Sequence, residues 1–194
     1  SPEVHEAAEL ARVAATDLPM PGRPLFAAHA ALPWPTAPHM VLWHAQTLIR
    51  EFRGDAHVAC LLEAGVASGC EALVQHAASG EVPAGTLRSS RQWPDDEWGE
   101  AVAALVERGW LHPDGSATAA GSAVRDRIEA RTDELAMAPW QRFPSLSRSL
   151  PIDSVRASPS SKEIASEAVS VTIQQLGMPC FLTHFTAILG FGSL

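Results

Sequence analysis

The chain has 194 residues, a length that fits one domain or two small ones. It is 46% hydrophobic and 19% charged, enough apolar material to bury a core, which excludes disorder of the chain as a whole. With 14 basic against 22 acidic side chains, a net charge of -8 and a pI near 5.4, its surface is not built mainly to hold nucleic acid or anionic lipid, because affinity for phosphate rests on clustered Lys and Arg.

Residues Pro2 to Leu18 read as a helix: Val4, Ala7, Ala8, Leu10, Ala11 and Ala14 recur at helical spacing, and Glu3, Glu6 and Glu9 stand early, where the helix dipole favours acids. Pro19, Pro21, Gly22 and Pro24 break it. A short apolar piece from Leu25 to Leu32 leads into the Pro33-Trp34-Pro35 elbow. The next predicted helix starts near Thr36 and runs to Arg53, with Met40, Trp43 and Thr47 on one side and Val41, Leu42, Leu48 and Phe52 on the other. A helix apolar on most of its circumference is expected at the middle of a domain or at a subunit contact.

Gly54-Asp55 is expected to end that helix, with Asp55 as N-cap of another that stops at Gly65. Ser68 followed by Glu71 has capping-box spacing ahead of GCEALVQHAAS, which Gly80 terminates. Pro83 opens a short helix (AGTLRSS). A turn at Gln92-Trp93-Pro94-Asp95 follows, and DEWGEAVAALVERG reads as a firm amphipathic helix with Trp98, Val102, Leu105 and Val106 in its stripe. In Trp110 to Thr118, Asp114-Gly115 lies between two short arms, the signal for a tight β-hairpin. Thr118 then caps a long helix ending before Pro139.

Short helix, turn, amphipathic helix, hairpin, long helix is the order of a winged helix-turn-helix. The expected fold is therefore mainly α: a helical bundle with a winged-helix-like module and one small β-hairpin. Three segments are expected: a helical segment over 1–54, the winged-helix-like domain over 55–140, and a linker with an apolar tail over 141–194. The tail differs in composition, holding four of the six isoleucines and the only lysine, Lys162. Its stretch from Ser145 to Ser161 reads as linker, and its end, MPCFLTHFTAILGFGSL, is short for a membrane helix. A non-native terminus and a peptide that folds back or mediates an oligomer both remain open for it.

The segment LVERGWLHPDGSATAAGSAVRD resembles the wing of MarR-type regulators, with Leu105, Gly109, Thr118 and Gly121 at the pattern's positions and Ala117 where Leu is usual. Over roughly Gly22 to Trp140, the longer stretches GRPLFAAHAALPWPTAPHMVLWHAQTLIREFRGDAHVACLLEAG and WPDDEWGEAVAALVERGWL resemble an uncharacterised actinobacterial family of helix-turn-helix proteins with a MarR-like domain. Phe52 and Ala56 depart from that family's pattern at the Arg-Gly-Asp motif. The resemblance implies a transcriptional regulator that binds DNA. Members are usually larger and carry an N-terminal helical half, so the chain, which opens on Ser-Pro without a signal peptide, is expected to be the C-terminal part of such a protein.

Two groups of residues are candidates for function. Trp43, His44, Arg50, Arg53, Asp55 and His57 bring cationic, imidazole and carboxylate groups to a helix junction, which suits an anionic or polar ligand. The same residues also read as structural: Asp55 as a cap, the arginines in ion pairs, and His44 in the core. Arg88, Arg91 and Gln92, with Ser89 and Ser90 between them, are the candidate DNA contacts.

The helix in the recognition position, Asp95 to Arg108, carries five acids against Arg108 alone, and residues 1 to 140 hold 10 basic and 19 acidic side chains, net -9. A major-groove reader needs Arg, Lys, Asn or Gln facing outward. A small-molecule-binding or protein-interaction module that no longer binds DNA is therefore the alternative to the regulator.

No HExxH, CxxC, GxSxG or Gly-rich phosphate loop occurs, so neither enzyme, metal site nor cofactor is expected. Cys60 and Cys70 fall at apolar helical positions suited to inert thiols. The long helix from Ala119 to Ala138 has an apolar stripe that packs either on its own domain, the commoner case, or on a second copy in a homodimer, and a cytoplasmic location without membrane contact is expected.

Overall fold

A computed structural model describes residues 2–80 and 82–142, and the expectations for the linker and apolar tail lie outside the described residues. Among the described residues, seven α-helices and a 3-10 turn follow in order: α1 Pro2–Ala15, α2 Pro24–Ala30, α3 Pro38–Glu63, α4 Gly69–Ala77, α5 Ala84–Arg91, α6 Asp95–Glu107, α7 Ala119–Leu135 and the 3-10 turn Trp140–Arg142. The protein is mainly helical, as its composition and periodicity suggest. The described residues divide into two compact units, one of residues 2–56 with 132–142 and the other of residues 57–131.

The first unit has its core where α1, α2 and α3 meet: Ala15, Leu18, Phe26, Ala45, Leu48 and Phe52 are buried together. Phe26 and Phe52 meet edge to face with ring centroids 5.2 Å apart, a preferred aromatic geometry. Leu25 to Leu32, which carries too few residues for a clear periodic pattern, forms α2 because Pro24 at its first position fixes the backbone and Phe26 anchors it in the core.

The expected break at Gly54-Asp55 does not occur. α3 runs unbroken through Gly54, burying one stripe of Val41, Ala45, Leu48, Phe52, Ala56 and Cys60. A mid-helix glycine costs about 1 kcal/mol relative to alanine. Phe52 and Ala56, buried on either side of it, outweigh that cost. The helix is not buried all round either, because Met40 and Trp43 stand exposed on its other side. Asp55 is a cap, but not of its own helix: its carboxylate accepts the backbone N–H of Phe26 at 2.9 Å, satisfying a free donor in the first turn of α2. Arg23, just before α2, lies over the Phe52 ring and donates to the carbonyl oxygens of Phe52 and Leu135, the latter at 2.8 Å. A guanidinium at the C-terminal end of α7 suits the negative pole of that helix.

The second unit is packed around α4 and α6, with Cys70, Val74, Ala101, Leu105 and Leu111 buried and Trp93, Trp98 and Trp110 packed against them. Ser68 caps α4 by accepting the N–H of Glu71 at 3.0 Å. α5 ends in a left-handed residue, Gln92 at φ 55°, so that a three-residue turn leads directly into α6.

The β-hairpin is not seen. Asp114-Gly115 forms the tight turn, but the arms pair only at Leu111 and Ala117, flanked by bonds from His112 N to Ser116 O (2.8 Å) and Thr118 N to Trp110 O (3.0 Å). Pro113 lacks a donor, and α6 ends and α7 begins too close on either side for a second pair.

Thr118 closes the turn three ways. Its N–H bonds Trp110 O, its hydroxyl donates to Gly109 O at 2.7 Å, and the same oxygen accepts Gly121 N–H at 3.0 Å to cap α7. Gly121 then lies so near that a Cβ would overlap the Trp110 carbonyl oxygen and stand 2.8 Å from its carbon.

Two outcomes follow from this packing. Gly121→Ala, which in an open helix gains about 1 kcal/mol, is expected to lose about 2 kcal/mol or more here, read as a lower urea midpoint; a gain would refute the close approach. Asp55→Ala, which orphans a buried N–H, is expected to cost about 2 kcal/mol, with Asp55→Asn costing less.

Candidate functional site

The second unit places α5 and α6 across the turn 92–94, two helices joined as in a helix-turn-helix. α6 turns Ala101 and Leu105 inward with Trp98, Val102 and Val106 beside them. Its outward residues are Asp95, Asp96, Glu97, Gly99, Glu100, Ala103 and Glu107, all exposed. Five carboxylates thus cover the free face, and α6 contains no Arg, Lys, Asn or Gln.

Arg108, the single cation beside it, is taken up within the unit. It donates to Gly65 O at 2.8 Å, pairs with Glu71 at 3.2 Å, and lies over the Trp110 ring at 5.3 Å. Glu71 was legible as a capping residue; its pairing with Arg108 was not, because 37 positions separate them.

The candidate DNA contacts sit at the end of α5. Arg88 pairs with Asp95 at 2.8 Å across the turn, and both are exposed, so the pair is weak and open to competition. Arg91 is half-buried, while Gln92 is exposed in the left-handed turn position. Ser89 and Ser90 donate their hydroxyls to Thr86 O and Leu87 O, back onto their own helix. The turn 112–116 adds His112 and Asp114. Hydrogen bonds from the Ser116 hydroxyl and N–H hold the Asp114 carboxyl below its ordinary range, so it is a settled anion.

Of the six candidate ligand residues, five belong to the first unit, and His57 is the first residue of the second. Trp43 is 61% exposed. His44 packs edge-on to Trp34 with centroids 4.7 Å apart, and Arg12 lies over the same indole at 5.1 Å. Arg50 pairs with its neighbour Glu51, which is buried. Arg53 donates to Asp133 at 3.3 Å, and Asp55 holds the Phe26 N–H. A ligand there would have to displace these partners.

Burial pushes the His44 pKa down from its ordinary value, and the nearby His29 adds to the shift. Burial raises the Cys70 thiol, as do the Glu97 and Glu71 carboxylates, so it stays protonated and unreactive. No group of three or more His, Cys, Asp or Glu among the described residues could hold a metal ion. No helix among them is long and apolar enough to cross a membrane.

Sequence reasoning passed over one group that the structure brings forward. Gln75 on α4 is buried, with its Nε2 lacking a hydrogen-bond partner. The only signal was a polar residue beside Val74 on an inward face.

The His44 shift has a sign that can be checked. A histidine depressed in the folded state contributes stability above the unfolded pKa of about 6.5, and that stability is lost as pH falls through the folded value. The difference in urea stability between the wild type and His44→Gln is therefore expected to shrink below pH 6.5. A difference that does not vary with pH would contradict the shift.

A search of curated proteins and a search of solved structures find no match to the chain. A family profile described as a helix-turn-helix family matches residues 1–151, well over half the length and spanning α1 through α7. With α5 and α6 meeting across their three-residue turn inside that match, the chain belongs to the helix-turn-helix family.

Proposed function

We propose that this chain is a regulatory protein of the MarR-like winged-helix type that touches duplex DNA through its phosphates and reads no base edges from α6. The observation that carries the reading is the outward face of α6, which occupies the recognition position yet presents five carboxylates and no donor suited to a base. Family membership and the order α5, turn, α6, tight turn, α7 support the DNA-facing half of the proposal. Phosphate contact falls to Arg88, Arg91 and Gln92 at the end of α5, with Arg88 exchanging Asp95 for a phosphate oxygen. The resemblance to an actinobacterial family and a cytoplasmic setting belong to the same proposal. It assigns no catalytic step.

A second reading is favoured by the same acidic face: a module that keeps the winged-helix scaffold and uses it for a protein or small-molecule partner. Clustered carboxylates repel a phosphate backbone and attract a basic surface.

Titration of the full chain with random-sequence duplex at low and moderate salt separates the two. The first reading predicts weak binding with a shallow salt slope of about -2, the signature of about two phosphate contacts. It also predicts that Arg88→Ala with Arg91→Ala abolishes that binding. Absence of binding at low salt would discard the first reading in favour of the second.

A further inference from the structure

We propose that Trp34 and the proline elbow that carries it form an acid-released latch on the first unit: when His44 takes up a proton, the indole leaves α3 and the elbow opens to solvent. The elbow spans residues 31–37, between α2 and α3. The latch is independent of DNA contact and stands whichever reading of α6 holds.

The elbow is held by a side chain rather than by its backbone. Pro33 and Pro35 carry no N–H, and neither Trp34 nor Thr36 makes a backbone hydrogen bond to the described residues. Trp34 instead packs against the core formed by α1, α2 and α3. Its indole meets the His44 ring edge to face with centroids 4.7 Å apart, and the Arg12 guanidinium lies over the same indole at 5.1 Å. A segment with few backbone bonds and one anchoring side chain opens at lower cost than a helix does.

The surroundings of His44 make no provision for a charge. Its Nε2 is buried without a hydrogen-bond partner. A neutral imidazole can present that nitrogen as a lone pair, whereas the charged ring carries N–H on both nitrogens and would leave a buried donor unmade. From α1, the Arg12 guanidinium already shares the Trp34 ring, so the indole has little to offer a second cation. From α2, His29 adds repulsion when protonated. On α3 itself the neighbours one turn away are Met40, Val41, Thr47 and Leu48, none of them charged. No carboxylate is among these groups.

The direction of the switch follows. Burial and His29 hold the His44 pKa below its ordinary value while the latch is closed, and release returns the ring to water. The open form therefore binds the proton more tightly, so falling pH favours it. The ratio of open to closed rises by up to about tenfold for each pH unit below about 6.5, until the closed-state value is reached.

The test is NMR of the 15N-labelled full chain between pH 7.5 and 5.5, with a soluble gadolinium chelate as probe of solvent access to the indole N–H groups. The chain has six tryptophans, and Trp34 is assigned by the signal lost in Trp34→Phe. Relaxation of the Trp34 indole is expected to rise severalfold on acidification, while the Trp98 and Trp110 indoles of the second unit stay unchanged. His44→Gln should make the Trp34 signal independent of pH. His29→Gln leaves His44 easier to charge in place, and should reduce the access gained at pH 5.5.

Four results would overturn the proposal: a Trp34 indole that stays sheltered while His44 titrates, an equal rise at Trp98 and Trp110, a rise that persists in His44→Gln, or a larger rise in His29→Gln. The first would mean that the charged ring is accepted against the indole, and the second that the whole chain unfolds. The wild-type and His29→Gln measurements decide the matter even if His44→Gln does not fold.

Discussion

The second unit depends on the contact between the Trp110 carbonyl and Gly121. That oxygen accepts the Thr118 N–H while the backbone of α7 passes so close that no Cβ fits. Thr118 completes the arrangement, because one hydroxyl both donates to Gly109 at the end of α6 and caps the first turn of α7. Three residues thus fix the exit of one helix, a tight turn and the entry of the next. Leu111 is thereby set into the core with Leu105 and Val74, and α6 is held with its apolar stripe inward. The orientation of the acidic face is a consequence: once Ala101 and Leu105 are buried, Asp96, Glu97, Glu100 and Glu107 have only solvent to meet.

That face decides between what the fold allows and what the surface permits. Each exposed carboxylate brought to contact distance of a phosphate costs on the order of 1 kcal/mol in water, and the effect reaches about 10 Å at 0.1 M salt. Five such groups oppose a backbone that Arg88 and Arg91 attract. Arg108 does little to redress the balance, because its guanidinium is held by Gly65 and its charge is paired with Glu71. The scaffold and the surface therefore carry separate information, and function follows the surface.

What the sequence made legible was local. The Ser68 and Thr118 caps, the Pro83 helix start and the stripe of α6 all rest on signals within four positions, and the structure has each of them. What it hid was long-range or a matter of competing costs. Gly54 looked like a break because a glycine disfavours a helix locally, whereas the burial of Phe52 and Ala56 settles the matter only once α1 and α2 are in place. Asp55 was recognised as a cap, yet its target, the Phe26 N–H, lies 29 positions away. The Asp-Gly turn was legible and the strands were not formed, since strand length depends on where the flanking helices end. Of the candidate site residues, the acids of α6 could be placed outward by periodicity alone. The burial of Gln75 could not, because it depends on contacts that α4 makes with elements distant in the chain.

The central claim is that the outward face of α6 opposes DNA rather than reading it. The most direct measurement is the affinity for random-sequence duplex, at low salt, of the chain with Asp96 and Glu100 changed to Asn and Gln. The account predicts tighter binding, by a severalfold factor that shrinks as salt rises, because two repulsive charges have been removed from an otherwise unchanged surface. Unchanged or weaker binding would contradict it. Weaker binding would mean that those carboxylates take part in the contact, as acceptors from cytosine amino groups in the major groove.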